Sequence, residues 1–549
     1  MKSFALTLQF YSTKAYEFVR QTFDLALPSQ SQIRRWYSKI AADPGFTEPA
    51  FNALKAKVAD AKGNGKKVIC SLMMDEMAIK KHLSWDGKKY NGYVDLGNDV
   101  NDDTLPVAGD ALVFMVVAVD GSWKVPCAYF FIDGLSGNER ANLVKVCIQR
   151  LSDVGVEVTS LTCDGPSCHF SMLSALGASL NPSNLIPYFP HPGNKNQKIY
   201  VLLDVCHMLK LVRNTLAEKG ILVDKDGGKI LWQYLVDLER LQNEEGLRLG
   251  NKLKKAHIQW KQQKMKVNLA AQSLSASVAD AIEFCAATLK LPQFQGSEAT
   301  VKFLRLVDHL FDILNSRNPL AKGYKAPLRE SNKHVWDPFL DEAYKYISGL
   351  KEPSGTPMTS SRRKTGFIGF LAAIKSTKGL FYELVGKKEA PLKYLLMYKT
   401  SQDHLELFFG AVRAAGGCNN NPTTIQFTAA YKRLLLRSHI SGGKGNCEER
   451  DPIEILSAVT NSCEIKGKTI TLTNAALIRK YDLQERTPVQ SEHDYCDLPN
   501  VISISEYKEA AISYISGFVA KTLQKKLHCP KCCSVLGSQD KNVPCSPFL

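Results

Sequence analysis

VICSLMMD, Val68 to Asp75, is a compact apolar run that closes on an acid, and the rest of the chain is best read outward from it. Tyr90 to Leu96, Ala111 to Val119 and Val125 to Ile132 have the β-branched and aromatic texture of further strands, joined by turns such as Asp120-Gly121. Asn138 to Val154 then changes to helical spacing through Leu143, Val146, Cys147 and Leu151. Val156 to Cys163 is again a strand and runs into Asp164-Gly165. A short helix over His169 to Leu176 and a strand over Ile199 to Val205, with Asp204 near its end, complete the series. Antiparallel strands followed by helix, strand, helix, strand describe an α/β fold. Its sheet presents acids at strand ends, where open sheets bind their ligands.

Upstream, residues 13 to 41 predict two helices around Leu27-Pro28-Ser29. Ala15, Phe18, Val19, Thr22 and Phe23 form the first stripe, and Ile33, Trp36, Tyr37 and Ile40 the second. Arg34, Arg35 and Lys39 stand between the apolar positions of the second helix. A helix-turn-helix presenting basic residues to DNA and a helical hairpin with a solvated face both fit. A basic linker with Gly63, Gly65, Lys66 and Lys67 leads into the first strand. Downstream, strand texture stops from about Met208 to Leu396. Helical patterns take over at Leu231 to Leu249, Ala256 to Leu289, Thr300 to Leu314 and Asp337 to Ile347, which reads as an all-α insertion. Helices are expected again from Gln402 and over Ile425 to Leu436. A loop-rich stretch and a last helix, Tyr507 to Leu527, follow.

The 549 residues exceed one ordinary domain, and 44% hydrophobic with 23% charged residues is enough to bury a core. Seventy basic residues against 54 acidic leave +16, which suits a polyanionic partner. Fifteen scattered cysteines, an odd count, argue against a secreted disulfide framework and for reduced thiols in an intracellular, soluble protein. The longest apolar run, Leu112 to Val119, is too short to span a bilayer, so no membrane partner is expected.

Three acids stand out by position: Asp75, Asp164 and Glu406, the last on a helix beyond the insertion. Magnesium takes hard oxygen ligands, and two ions clamped by carboxylates serve phosphodiester cleavage. An N-cap, a turn or a surface charge explains any one of these acids equally well. Asp204, Glu76 and Asp403 compete for the same role. On the last helix, Thr400 or Ser401 can cap, Leu405, Phe408, Phe409 and Val412 form the buried stripe, and Asp403, Glu406, Gly410 and Arg413 share the other face. His169 and His207, near the acid-bearing strand ends, fit either a phosphate-contacting or a structural role.

Longer strings are more specific. SLMMDEMAIKKHLSWDGKKYNGYVDLG, VTSLTCDG, LLDVCHMLKLVRN and TSQDHLELFFGAVRAAGGCNNNPTTIQFTAAYKRLL resemble P-element-type DNA transposases, including their THAP-domain-bearing relatives, from about Ala5 to Leu536. The resemblance implies an RNase H-like catalytic core interrupted before its last acid by a GTP-binding helical insertion. Asp75, Asp164 and Glu406 then match the catalytic, metal-holding acids. It further implies Mg2+ (two ions) and GTP as cofactors, DNA at transposon ends and targets as partner, and a nuclear location; homo-oligomerisation stays open. Asp403 is assigned to the guanine base, whose ring and exocyclic N–H groups a carboxylate can accept. KMKVNLAAQSLSASVADAI and VDHLFDILNSR resemble the insertion, which puts Phe311 on the base, Asp312 and Asn315 in polar contact, and Lys266 and Ser275 on the phosphate side. No Walker A loop and no Asn-Lys-x-Asp string supports a nucleotide independently.

The expected division is 1–62 helix-turn-helix-like DNA-binding region, 63–214 first part of the core, 215–396 insertion, 397–440 last part of the core and 441–549 C-terminal region. His528-Cys529-Pro530-Lys531-Cys532-Cys533 offers half of a zinc knuckle. A closed zinc site wants four ligands in two pairs and only Cys545 follows, so free cysteines are expected there. THAP-bearing relatives begin with a Cys-Cys-Cys-His zinc domain, whereas here no cysteine precedes Cys70. A truncated copy, a fragment or a domesticated, non-catalytic DNA- and GTP-binding derivative is the alternative to an active transposase. An ordinary RNase H-type nuclease has no use for so large an insertion.

Overall fold

A computed structural model describes residues 2–38, 40–85, 87, 89–97, 105–415, 419–435, 454–455 and 515–516. Three helices come first, α1 (Lys2–Tyr11), α2 (Thr13–Thr22) and α3 (Gln30–Ser38). They enclose a small core of their own around Tyr16, Leu27 and Ile33. The predicted stripe is corrected here. Because α1 packs on α2, the buried position is Tyr16, whose hydroxyl donates to the Pro28 carbonyl at 2.6 Å, while Phe18 and Phe23 are exposed.

The sheet is built from β1 (Gly45–Phe46) and β2 (Val68–Ala78), a side hairpin β3 (Ser84–Trp85) with β4 (Tyr90–Asn91), then β5 (Asp110–Ala118), β6 (Trp123–Ile132) and β7 (Val156–Cys163). A second side hairpin, β8 (Ser179–Asn181) with β9 (Asn184–Ile186), precedes β10 (Tyr188–His191) and β11 (Asn194–Leu203). The strand order is β1-β6-β5-β2-β7-β11-β10. β2, β5 and β6 form an antiparallel meander, and β7 and β11 run parallel to β2. Helices α4 (Glu48–Gly63), α5 (Gly137–Asp153), α6 (Ser167–Leu176) and α7 (Val205–Lys219) complete this half. Alternation along each strand separates two faces. Leu72, Met74, Leu112, Phe114 and Phe130 join one core with α4, α5 and α6. Met73, Met77, Val113, Met115, Tyr129 and Phe131 join another with the two helices that follow the insertion, α15 (Asp403–Ala415) and α16 (Thr424–Leu435).

Between the halves lies the insertion. It holds a hairpin, β12 (Ile221–Val223) with β13 (Lys229–Leu231), and helices α8 (Gln233–Glu245), α9 (Lys255–Ile258), α10 (Val267–Ser273), α11 (Ala276–Ala287), α12 (Glu298–Leu314), α13 (Lys333–Ser348) and α14 (Thr365–Phe381). The single helix expected over Ala256 to Leu289 is therefore three. Lys266 and Ser275 are extended, and the fully buried Arg213 of α7 takes the Gln263 and Lys264 carbonyls (2.9 and 3.5 Å), a tertiary demand that outweighs helical periodicity. The small hairpin also corrects the all-α reading of the insertion. α14 escaped the sequence reading because it is apolar on nearly every side and so has no stripe. It crosses α7 at Gly366 and Gly369 and rests Gly379 on the Tyr200 ring of β11. A last short strand, β14 (Glu454–Ile455), pairs with β6. No helix among the described residues is long and apolar enough to cross a membrane.

Candidate active site

Strand register sets the site. Met73 pairs with Thr162, and Cys163 pairs with Leu203, so Asp75, Asp164 and Asp204 stand in a row across β2, β7 and β11. Neighbouring strands lie about 4.8 Å apart. Asp75 shares the face of Met73 and Met77, the face that receives α15. Asp204 caps α7, its Oδ2 accepting from the His207 amide at 2.8 Å.

Three hydrogen bonds tie the returning chain to these strand ends. Thr162 Oγ1 donates to the Thr400 carbonyl at 2.7 Å, Gln402 Nε2 donates to the Met74 carbonyl at 2.7 Å, and the Gln402 amide donates to Asp204 Oδ1 at 3.1 Å. Ser401 Oγ accepts from the Asp403 amide at 3.1 Å, one residue ahead of Gln402, which takes the capping position expected of Thr400 or Ser401. Leu405, Phe408, Phe409 and Val412 bury against the sheet, which turns Glu406 toward the acid row.

Electrostatics report the crowding. Burial first, then the charges of Asp164, Glu406 and Asp204, push the Asp75 carboxyl well above the usual range, with Lys210 opposing. Burial, then Asp403, Asp164 and Glu406, push Asp204 up to about 8. Asp75, Asp164 and Glu406 keep partial solvent access, whereas Asp204 and Asp403 are buried. His207 Nδ1 lies 3.5 Å from Asp164 Oδ1, and His169 Nδ1 lies 2.9 Å from the Asp164 carbonyl. Burial holds both imidazoles below the usual histidine range. Arg140 of α5 pairs with Glu76 beside Asp75.

Among the described residues no group of three or more His, Cys, Asp or Glu side chains closes tightly enough to hold a metal ion. The donor set nevertheless fits a hard divalent cation: oxygens only, from several carboxylates whose mutual repulsion a cation would relieve. Sequence reading ranked Asp204 only as a competitor and missed Gln402, Arg140 and Lys210. The strand-end position of Asp204 was visible; the other three act through contacts that no local pattern encodes.

Of the residues expected at a nucleotide, Phe311, Asp312 and Asn315 lie at the C-terminal end of α12. Phe311 and Asp312 are half-buried there, and Asp312 lies 3.7 Å from Lys325. Burial, with Asp308 adding, raises the Asp312 carboxyl to about 6. Asn315 ends the helix, and its Oδ1 is buried without a hydrogen-bond partner. Two residues on, Arg317 holds Asp403 Oδ2 at 2.5 Å and stacks over Tyr398 at 4.1 Å, joining α12 to the start of α15. Ser275 precedes α11, which packs on α12. Lys266 is exposed at the start of α10, a helix that packs on α7 instead. A cavity of about 550 Å³ lies along α12, lined by Arg305, His309, Tyr324 and Phe339 among others. Arg34 and Arg35 are exposed on α3; Lys39 and the C-terminal cysteines lie outside the described residues.

A TNP-like RNase H N-terminal domain matches residues 42–177, a TNP-like GTP-binding insertion domain 206–327 and a TNP-like RNase H C-terminal domain 398–432. A transposable element P transposase-like HTH domain matches 1–36, and the C-terminal domain of DNA transposase THAP9 matches 503–549. Human DNA transposase THAP9 is 32% identical over 551 residues, 98% of this chain and 59% of that protein. The transposable element P transposase of Drosophila melanogaster is 23% identical over 512 residues, 91% of this chain and 60% of that one. The chain thus spans about three fifths of the length of these curated relatives. The solved Drosophila P element transposase strand transfer complex shares the fold, with a TM-score of 0.64 at 24% identity, over 78% of this chain and 90% of that one. An RNase H-like core split by a GTP-binding-type insertion, with these matches along nearly its whole length, means that the chain belongs to the P-element transposase-like family.

Proposed function

We propose that the protein is a DNA transposase that cleaves at transposon ends and transfers the freed strand to target DNA in the nucleus, with Mg2+ and GTP as cofactors. The observation that carries this reading is the row Asp75–Asp164–Asp204 meeting Glu406 across the insertion. Asp75, Asp164 and Glu406, the solvent-reachable members, would hold the divalent ions. Bound there, such ions supply activation of the attacking oxygen and stabilisation of the leaving one. Asp204, buried, fixes the start of α15 through the Gln402 amide and so orients Glu406. His207, whose imidazole burial holds below the usual histidine range, lies 3.5 Å from Asp164 Oδ1 and would orient that carboxylate.

For the nucleotide, Asp403 Oδ1 remains to accept from guanine while Arg317 holds Oδ2, and the orphaned Asn315 Oδ1 accepts a second N–H. Phe311 would stack on the base, Asp312 adds a polar contact, and Lys266 and Ser275 would serve the phosphates.

Excision of a reporter flanked by matched transposon ends tests the chemistry. Asp75→Asn, Asp164→Asn and Glu406→Gln should each abolish it while DNA binding persists. An inactive wild-type chain that still bound DNA and GTP would favour the domesticated, non-catalytic reading. For the nucleotide, Asp403→Ala should weaken guanine nucleotide more than adenine nucleotide in a titration, and equal weakening would assign Asp403 elsewhere.

A further inference from the structure

The β3–β4 hairpin follows the Asp75 strand directly, in the stretch IKKHLSWDGKKYNG (Ile79 to Gly92), and the reading above gives it no task. Trp85 and Tyr90 face each other across it, ring centroids 4.9 Å apart and tilted 57°. They are 58% and 60% exposed, so most of two large rings lies in water. A cross-strand aromatic pair stabilises a hairpin. That accounts for the pairing of the rings, not for leaving them uncovered beside cations.

Four lysines stand in this segment against one aspartate. Lys80, His82 and Lys89 of the same segment are exposed. The base of the hairpin is fixed. Gly92, at φ +125, is backed against the His82 carbonyl with no room for a side chain, and its own carbonyl accepts from the Ala108 amide at 2.8 Å. The Ile79 amide donates to the Gly109 carbonyl at 2.9 Å, and the Lys80 amide donates to the Pro422 carbonyl at 3.0 Å. Lys81 Nζ pairs with Asp133 at 2.8 Å. A rigid mount holding exposed rings among cations is the composition of a stacking platform for nucleic acid, where each base offers a π-face and lysines track the backbone.

Position agrees with chemistry. Lys80 lies five residues beyond Asp75 along extended chain, about 16 Å at roughly 3.3 Å per residue. That is about five base steps of duplex at roughly 3.4 Å each. We propose that Trp85 and Tyr90 stack on an unpaired base of the DNA strand whose phosphate lies at the acids, with Lys80 and Lys89 on its backbone. The proposal rests on DNA occupying the acid row, as proposed above.

The test uses the full chain and labelled DNA in fluorescence anisotropy, comparing a blunt duplex with the same duplex carrying a single-stranded 3′ overhang. The wild type should prefer the overhang. Trp85→Ala should weaken overhang binding about ten-fold, with blunt-duplex binding changed less than about two-fold. Trp85→Phe should restore most of the preference, and because the cross-strand pair contributes only about 0.2–1 kcal/mol the thermal midpoint of both variants should stay within a few degrees of wild type. No preference in the wild type, or equal affinity of Trp85→Ala for both DNAs relative to wild type, overturns the platform while leaving the catalytic reading intact. A wild type that bound neither DNA would overturn both.

Discussion

Gln402 joins the strand-end acids to α15, and replacing it separates packing from the proposed chemistry. Its side chain is buried and donates to the Met74 carbonyl at 2.7 Å, while its amide donates to Asp204. Gln402→Ala keeps the backbone bond and deletes the side-chain one. Leaving a buried acceptor unsatisfied costs about 1–3 kcal/mol, and the space left by the shortened side chain adds about 1 kcal/mol. A loss of roughly 2–4 kcal/mol is expected in urea unfolding, with faster hydrogen exchange concentrated in α15. Cleavage should fall further than stability. Glu406 rides on the freed helix turn, and a displacement of about 1 Å can cost on the order of a hundred-fold in rate. Gln402→Glu keeps the shape and reverses the interaction. It sets a carboxylate oxygen against the Met74 carbonyl and adds a charge beside Asp204, so it should be worse than Gln402→Ala at pH 8 and recover toward pH 5 as the new acid takes up a proton. The reasoning fails if Gln402→Ala leaves α15 exchange and cleavage unchanged, or if Gln402→Glu at pH 8 is as stable as wild type.

Stability without divalent metal should depend on pH in a defined direction. The folded state holds the Asp204 proton up to about 8 while the ordinary value is 3.8, so raising pH through that interval removes stability. His169, His191, His207, His257 and His309, held low by desolvation, oppose this below about 6.5, so the effect emerges between roughly pH 6.5 and 8 and amounts to about 2 kcal/mol. Thermal scans in chelator should show it and scans in Mg2+ should reduce it; a flat profile in chelator would contradict the acid row. Gly379→Ala drives a methyl into the Tyr200 ring and should destabilise by about 1–3 kcal/mol despite better helix propensity, whereas unchanged unfolding would mean that α14 sits less tightly on β11. Replacing Arg34 and Arg35 with Ala should weaken binding to all duplexes alike and flatten the plot of log affinity against log salt by about 0.9 for each phosphate no longer neutralised. A sequence-selective loss would instead make α3 a reader of bases.

Much of the core was legible because its strands carry strong local signals. Val156–Cys163 falls where its β-branched run falls, and the α15 stripe buries the four residues that its spacing names. Asp75 and Asp164 stand out in the sequence because each closes an apolar run, whereas Glu406 shares its helix face with Asp403 and only the resemblance distinguished the two. Local pattern failed where tertiary contact decides. Arg213 breaks a helix fifty residues away by taking its carbonyls, α14 has no polar side to mark it, and Phe18 is exposed because the partner helix covers Tyr16 instead. The nucleotide residues lie outside any motif, and only resemblance pointed to them.

The Gln402–Met74 bond spans 328 positions of sequence, and that separation matters before the protein is finished. The β2–β5–β6 meander is local and can form as soon as it leaves the ribosome, but the helices that cover its Met73, Val113 and Tyr129 face emerge only after the whole insertion. At about 5–20 residues per second, that apolar face waits for its cover for roughly 15 to 65 s. Throughout that interval the nascent chain exposes apolar surface of the kind chaperones bind, and its strand-end acids lack Glu406. Neither the acid cluster nor a closed core is complete until translation has passed α15, so a chain stalled within the insertion exposes an aggregation-prone face.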